Sequence, residues 1–245
     1  MKLALAETKL IRDSVSIISE LVTEARFKVT KNSIELIAMD PANVAMVIYR
    51  LLSSAFVTYD VKEDMILAIN LNDLKQVFRR IKPEDTMTLE VSDGKFKVTL
   101  KSAQTRIFNL PLIDLEEKEQ RIPELTFGAK IMTPASVLSD AVEDMDIIGE
   151  SVSFQADKKT FHVTSASELS NADVEIKAGA ETKIEAAEKT RAKYSIEYLK
   201  KMIQGAKLAD TVIIQFNKDY PLQLDYIAVD KLQMSFILAP RVDND

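Results

Sequence analysis

The stretch Asn70–Leu100 returns near the other end of the chain as Ser195–Asp225. Leu71 meets Ile196, Leu74 meets Leu199, Lys75 meets Lys200, Val77 meets Met202, Phe78 meets Ile203, Ile81 meets Ala206 and Lys82 meets Lys207. The apolar positions fall at i, i+3, i+6, i+7 and i+10, one face of a helix. Asn70 and Ser195 each suit an N-cap, where a short polar side chain accepts from the first free backbone N–H groups. Each predicted helix leads into a strand (TMTLEV; TVIIQF), a turn (SDGK; NKDYP) and a second strand (FKVTL; LQLDY).

A second repeat flanks the first. Leu10–Leu21 aligns with Val137–Ile148, matching Leu10 to Val137, Ile11 to Leu138, Ser14 to Ala141, Val15 to Val142, Ile18 to Met145 and Leu21 to Ile148. Thr133 and Pro134 read as an N-cap followed by a proline at the first helical position. Both copies continue into three strands: RFKVT, SIELIAM and VAMVIYRL, then SVSFQA, TFHVTS and ADVEIKA. The expectation is therefore an α+β chain of two similar domains, each built from two βαβββ units. Residues 1–112 form the first domain and 125–245 the second. Residues 113–124 (IDLEEKEQRIPE), charged and without a 2 or 3.6 period, form a connecting loop.

Composition removes several kinds of chemistry. With no cysteine there are no disulfides, thiolate nucleophiles or cysteine metal sites. The single histidine, His162, lies in an alternating strand and has no neighbouring motif that would make it a general base. Five glycines supply neither GxxxxGK[ST] nor GxGxxG, so no phosphate loop is expected. No cofactor and no metal are called for. No apolar run is long enough to span a bilayer, and MKLALAETKL does not read as a signal peptide. A chain of this kind is expected in the cytoplasm.

The net charge is −6, yet base and acid are segregated. Lys75, Arg79, Arg80 and Lys82 crowd one predicted helix. Lys200, Lys201 and Lys207 occupy its repeat, and Lys9 and Arg12 lie on the polar face of the first helix. Acid gathers on the connector (Asp114, Glu116, Glu117, Glu119 and Glu124, against Lys118 and Arg121) and in the VDND tail. A solvated helix face is the ordinary reading of such charges. A segregated positive face instead suits phosphates, and without a base-reading motif the contact would be sequence-independent. The Val137–Ile148 helix dissents, with Asp140, Glu143, Asp144 and Asp146 on its polar side.

AMDPANVAMV (Ala38–Val47), TEARFKVT, DTMTLEV, the acidic connector ending in IPEL, and FILAPRV together resemble the sliding clamps of archaea and eukaryotes, the proliferating cell nuclear antigen family. The resemblance spans essentially the whole chain and is most like the archaeal members. It implies the DNA clamp fold: three subunits close head to tail into a ring with helices inside and sheets outside. Such a ring is a processivity factor that encircles duplex DNA, performs no catalysis and tethers enzymes of replication and repair. The implied partners are double-stranded DNA, a DNA polymerase, a clamp loader, a flap endonuclease and a DNA ligase, with no membrane. The implied DNA-facing set is Lys9, Arg12, Lys75, Arg79, Arg80, Lys82, Lys200, Lys201 and Lys207.

The implied peptide pocket comprises Met39, Asn43, Val44, Met46, Ile122, Pro123, Phe127, Pro221, Ala239 and Pro240. Gln120 departs from the apolar residue usual in the family. The implied subunit interface pairs Arg106, Ile107, Phe108 and Leu110 with Asp173, Val174, Glu175, Ile176 and Lys177 of the next subunit, Arg106 facing Glu175 or Asp173. Alternatives are a subunit of a mixed three-membered ring, a checkpoint-type clamp, and, from another class, a two-metal nuclease using Asp40, Asp140, Glu143, Asp144 and Asp146.

Overall fold

The computed structural model describes residues 1–116 and 120–241. Glu117, Lys118, Glu119 and the VDND tail, counted above among the acidic and basic connector and tail residues, lie outside the described residues. The chain divides into two compact units. The first holds Met1–Pro41, Val47–Arg121 and Ala228–Gln233; the second holds Ala42–Met46, Ile122–Ile227 and Met234–Asp245.

The first unit runs β1 (Lys2–Leu5), α1 (Lys9–Ile18), β2 (Glu24–Val29), β3 (Ser33–Met39), β4 (Ala45–Leu52), β5 (Thr58–Asp60), β6 (Met65–Asn70), α2 (Leu71–Phe78), β7 (Thr86–Ser92), β8 (Lys95–Lys101) and β9 (Thr105–Pro111). Its strand orders are β5-β1-β7-β8-β9 and β4-β3-β2-β6. The second unit runs β10 (Ala129–Pro134), α3 (Ala135–Asp146), β11 (Ser151–Ala156), β12 (Thr160–Ala166), β13 (Asn171–Lys177), β14 (Lys183–Ala186), β15 (Thr190–Ser195), α4 (Ile196–Met202), β16 (Thr211–Phe216), β17 (Leu222–Ala228) and β18 (Leu232–Leu238). Its orders are β14-β10-β16-β17-β18 and β13-β12-β11-β15. Nine added to each strand number of the first unit gives the second, so the duplication read from sequence is a duplication of topology.

Each unit nevertheless holds one strand more than two βαβββ modules. β5 and β14 pair antiparallel with β1 and β10, with Leu3 opposite Tyr59 and Ile131 opposite Ile184. TYD and KIEA are short and half polar, below the length at which alternation is distinctive. Among the described residues nothing from Leu112 to Phe127 is helix or strand, as the connector's lack of periodicity predicts.

The helices form where the apolar stripe demands. In α2, Leu71, Leu74, Val77 and Phe78 are buried. Asn70 caps it, accepting from Asn72 N at 2.9 Å and Asp73 N at 3.3 Å. α2 packs on α1 in the first unit, and α4 packs on α3 in the second. Turn chemistry is equally local: Asp93 (φ 52°) and Gly94 (φ 70°) supply the two left-handed residues that join β7 to β8. The second unit's core centres on Phe154, whose ring meets Phe161 at 5.3 Å, Tyr194 at 5.5 Å and Phe216 at 6.1 Å.

Several local expectations require correction. α2 ends at Phe78, so Arg79 is its C-cap and Arg80 and Lys82 lie in the turn beyond. There the N–H groups of Arg80 and Ile81 donate three residues back, to Val77 and Phe78, tightening the chain ahead of Pro83. Lys207 likewise lies in a 3₁₀ segment, Ile203–Lys207, after α4. Pro134 is not inside α3: it ends β10 opposite Thr211, with ψ 135°, because sheet pairing keeps it extended. Thr133 does not cap α3 either, its hydroxyl being buried 2.8 Å from that of Thr182. The first helical N–H, of Ala135, donates instead to Asp210 O at 2.7 Å. Ser195 sits at the N-cap of α4 but its side chain makes no capping bond.

Candidate partner and nucleic-acid interfaces

Two edge strands carry the expected subunit contacts. β9 ends one sheet of the first unit and β13 ends one sheet of the second. On β9, Arg106, Phe108 and Leu110 are half-buried on one face while Ile107 is 53% exposed on the other. An exposed isoleucine on an edge strand is the kind of surface that proteins normally guard. The Arg106 guanidinium does not project as a free cation. Nη2 binds the Asp85 carboxylate and Nη1 donates to Arg80 O at 2.7 Å. Asp85 also accepts from Lys82 N at 2.7 Å. That backbone bond, with Arg106 added, pulls the Asp85 pKa down to about 2 against the opposing effect of burial.

On β13, Asp173 accepts from or shares a proton with His162 Nδ1 at 2.9 Å, and Glu175 holds Lys177 at 3.0 Å. Arg106, Asp173 and Glu175, expected to meet across the subunit contact, each have a partner within their own unit. The place of Ile176 is corrected. It faces the core opposite Phe161 and is 8% exposed, whereas Val174 is half-buried.

All the expected pocket residues but Met39 lie in the second unit. In the second unit Val44 O accepts from Ala239 N at 2.9 Å, joining the AMDPANVAMV segment to the LAPR segment. Asn43, at φ 58°, is exposed just before this bond; asparagine tolerates that left-handed backbone better than most residues. Val44, Ala239 and Pro240 are half-buried, Ile122 and Pro123 exposed. Met46 is 3% exposed and belongs to the core, so it offers no surface to a ligand. Met39, half-buried at the end of β3, belongs to the first unit. Gln120 is half-buried.

Phe127 packs edge-on against Tyr220, ring centroids 6.3 Å apart, and Thr126 N lies 3.5 Å from the Tyr220 hydroxyl. Pro221 follows, half-buried. Tyr220 lies outside the residues that the resemblance implies, and its one signal in the sequence is an aromatic residue directly before Pro221. Gly128 lets this segment approach closely: a Cβ there would stand 2.8 Å from Asn217 Oδ1.

The basic residues divide into two groups. Lys9 and Arg12 both pair with Asp13, at 3.4 Å and 3.0 Å. Lys75 pairs with Glu20 at 2.5 Å, Lys200 with Asp146 at 2.6 Å and Lys201 with Glu197 at 3.2 Å, the Lys201 amine also standing 5.0 Å over the Tyr198 ring. Lys207 is exposed. Arg79, Arg80 and Lys82 are exposed and make no side-chain ion pair among the described residues. Asp140, Glu143 and Asp144 on α3 are exposed, so the acidic face read from sequence is a real surface.

Comparison with known proteins decides the family. The sequence matches the profile of the proliferating cell nuclear antigen N-terminal domain over residues 1–120 and that of the C-terminal domain over residues 121–241. The chain belongs to the proliferating cell nuclear antigen family. The boundary between the two matches falls at Arg121, where the two compact units also divide. A DNA polymerase sliding clamp of Pyrococcus furiosus is 38% identical over 230 residues, 92% of each chain. One of Nanoarchaeum equitans is 32% identical and covers 99% of this chain and 100% of its own. Among solved structures, the proliferating cell nuclear antigen of Thermococcus kodakaraensis superposes with a TM-score of 0.92 at 26% identity, covering 98% of this chain and 99% of its own. That of Entamoeba histolytica reaches 0.92 at 21% identity, covering 98% of both, and shares the fold. Among the described residues no three His, Asp or Glu side chains gather as metal ligands, so the nuclease reading gains no geometry. No described helix is long and apolar enough to cross a membrane.

Proposed function

We propose that this member of the proliferating cell nuclear antigen family is a DNA sliding clamp, a ring of three chains that encircles duplex DNA and tethers polymerase and other replication and repair enzymes. The observation that carries the reading is the repeated topology with β9 and β13 left as outer strands of their sheets. A chain with two different open edges can join head to tail, and such a heterologous contact closes into a ring when its rotation fits. Archaeal relatives bearing the name DNA polymerase sliding clamp support the same reading.

Ile107 and the half-buried Phe108, Leu110 and Val174 supply apolar area to that contact. Arg79, Arg80, Lys82 and the paired lysines supply the charge that holds phosphate without reading bases. Val44, Ile122, Phe127, Ala239 and Pro240 offer aliphatic and aromatic surface of the kind that anchors a short amphipathic peptide. The reading assigns no catalysis to the chain.

Light scattering of the purified chain should give the mass of three subunits. After loading, the protein should stay on closed circular duplex and leave once the circle is cut. A monomer at micromolar concentration, or equal retention on cut and closed circles, would refute the clamp. A mass that reaches three subunits only when a related chain is added would favour a mixed ring.

A further inference from the structure

The two lysines at matching positions of the repeat, Lys75 and Lys200, are each clasped by a carboxylate from the end of the neighbouring helix. In the first unit Glu20, just beyond α1, approaches the Lys75 amine to 2.5 Å. In the second, Asp146, the last residue of α3, approaches the Lys200 amine to 2.6 Å. The acids themselves do not align. By the repeat register Glu20 matches Ile147, and Asp146 matches Ser19. Each unit thus reaches the same lysine by its own route, one with a longer acid from one residue further along. An acid at the C-terminal end of a helix faces the negative end of the helix dipole, so its own helix gives it no reason to be there. The lysine does.

We propose that Glu20 and Asp146 are internal competitors for phosphate, which hold the Lys75 and Lys200 amines in the unbound chain and weaken the grip on DNA. The proposal rests on the clamp reading and goes beyond it in naming the residues that set how tightly the duplex is held. A carboxylate at hydrogen-bond distance satisfies an ammonium much as a phosphate oxygen does. DNA must displace the acid before the lysine contributes, and the freed carboxylate then repels the backbone. Exposed ion pairs are weak, with Glu20 47% and Asp146 39% exposed, so displacement is open to DNA. While the clasp holds, its lysine neutralises no phosphate, so the clasped chain makes fewer phosphate contacts.

The test is a salt titration of binding to a short linear duplex, comparing wild type with E20Q/D146N. Each phosphate neutralised contributes about −0.9 to the slope of log affinity against log salt. Two released lysines per chain should steepen that slope by roughly 1.8 per chain, with tighter binding at every salt concentration tested. The decisive control repeats the comparison in a K75Q/K200Q background. If the acids act through these lysines, their removal there changes nothing. If they act only as nearby negative charge, the gain persists and the proposal is overturned. An unchanged slope for E20Q/D146N while wild type is retained on closed circles sinks the clasp alone. Failure of wild type to be retained sinks the clamp reading. Should the double variant lose its assembly, E20Q and D146N singly should each give about half the change.

Discussion

Replacing Gly205 by alanine places one methyl group against a ring with nowhere to go. A Cβ at Gly205 would lie 2.4 Å from both Cδ2 and Cε2 of Tyr226 and 2.7 Å from its Cγ. Carbon atoms prefer about 3.5–4.0 Å, so the overlap is more than an ångström. Tyr226 on β17 has no exposed surface, is paired opposite Val212, and is backed by the Phe236 ring at 6.2 Å. Overpacking of this kind costs about 1–3 kcal/mol. The φ of Gly205 is not positive, so alanine also gains about 0.4–1 kcal/mol by restricting the unfolded chain. The steric term wins, and the net is a loss of about 1–2 kcal/mol. With an m-value of about 2–3 kcal/mol/M, the urea midpoint should fall by about 0.5 M at fixed protein concentration. G128A is the comparison, because there the clash is with the end of the Asn217 side chain, which can rotate away. It should cost under about 1 kcal/mol. In a Y226L background G205A should become nearly neutral, while Y226F, which keeps the ring, should leave its cost intact. A midpoint unchanged or raised by G205A would mean that the 3₁₀ segment carrying Lys207 does not pack on β17 as described.

Three further outcomes are expected. Asp85 has a pKa below its usual 3.8, at about 2, so its contribution to stability is present above about pH 4 and lost as pH falls through about 2. Urea midpoints between pH 5 and 2 should flatten in D85N relative to wild type, and an identical pH profile would show that Lys82 N and Arg106 do not hold this carboxylate. F154A removes the ring at the centre of the second unit's aromatic cluster and should cost about 3–5 kcal/mol, calorimetry then resolving an early transition for that unit. A239D with P240A should abolish polymerase stimulation and leave the three-subunit mass intact, whereas loss of the assembly would place these residues in the core.

What could be read from the sequence was whatever repeats or is local. Two copies of one pattern, the Asn70 cap, the Asp93–Gly94 turn and the aperiodic connector all depend on spacing within a few residues. What could not be read depends on partners distant in the chain. Arg106 meets Asp85 across 21 positions and Lys75 meets Glu20 across 55, and no period announces either. Met46 lies in the run Ala45–Val47, buried at every position, and Ile176 shares its strand face with the half-buried Val174, so alternation alone marks neither as core. Pro134 shows a conflict between levels. Its fixed φ suits a helix start, but pairing with Thr211 claims it for the sheet.

The same distinction bears on how a chain of net charge −6 could hold DNA. Net charge governs long-range approach, which salt screens beyond about 8–10 Å. Contact with phosphate is decided at shorter range by which cations stand free. Here Arg79, Arg80 and Lys82 lie where α2 gives way to a turn, and they make no ion pair among the described residues, while Lys75, Lys200 and Lys201 each carry an acid and Lys9 and Arg12 share Asp13. A surface with every cation free would bind duplex tightly and resist movement along it. One with most cations already answered by an acid holds DNA loosely, and in the proposed ring retention then comes from encirclement rather than from affinity. For a clamp that must both stay on DNA and move along it, lysines already paired with acids keep each phosphate contact weak.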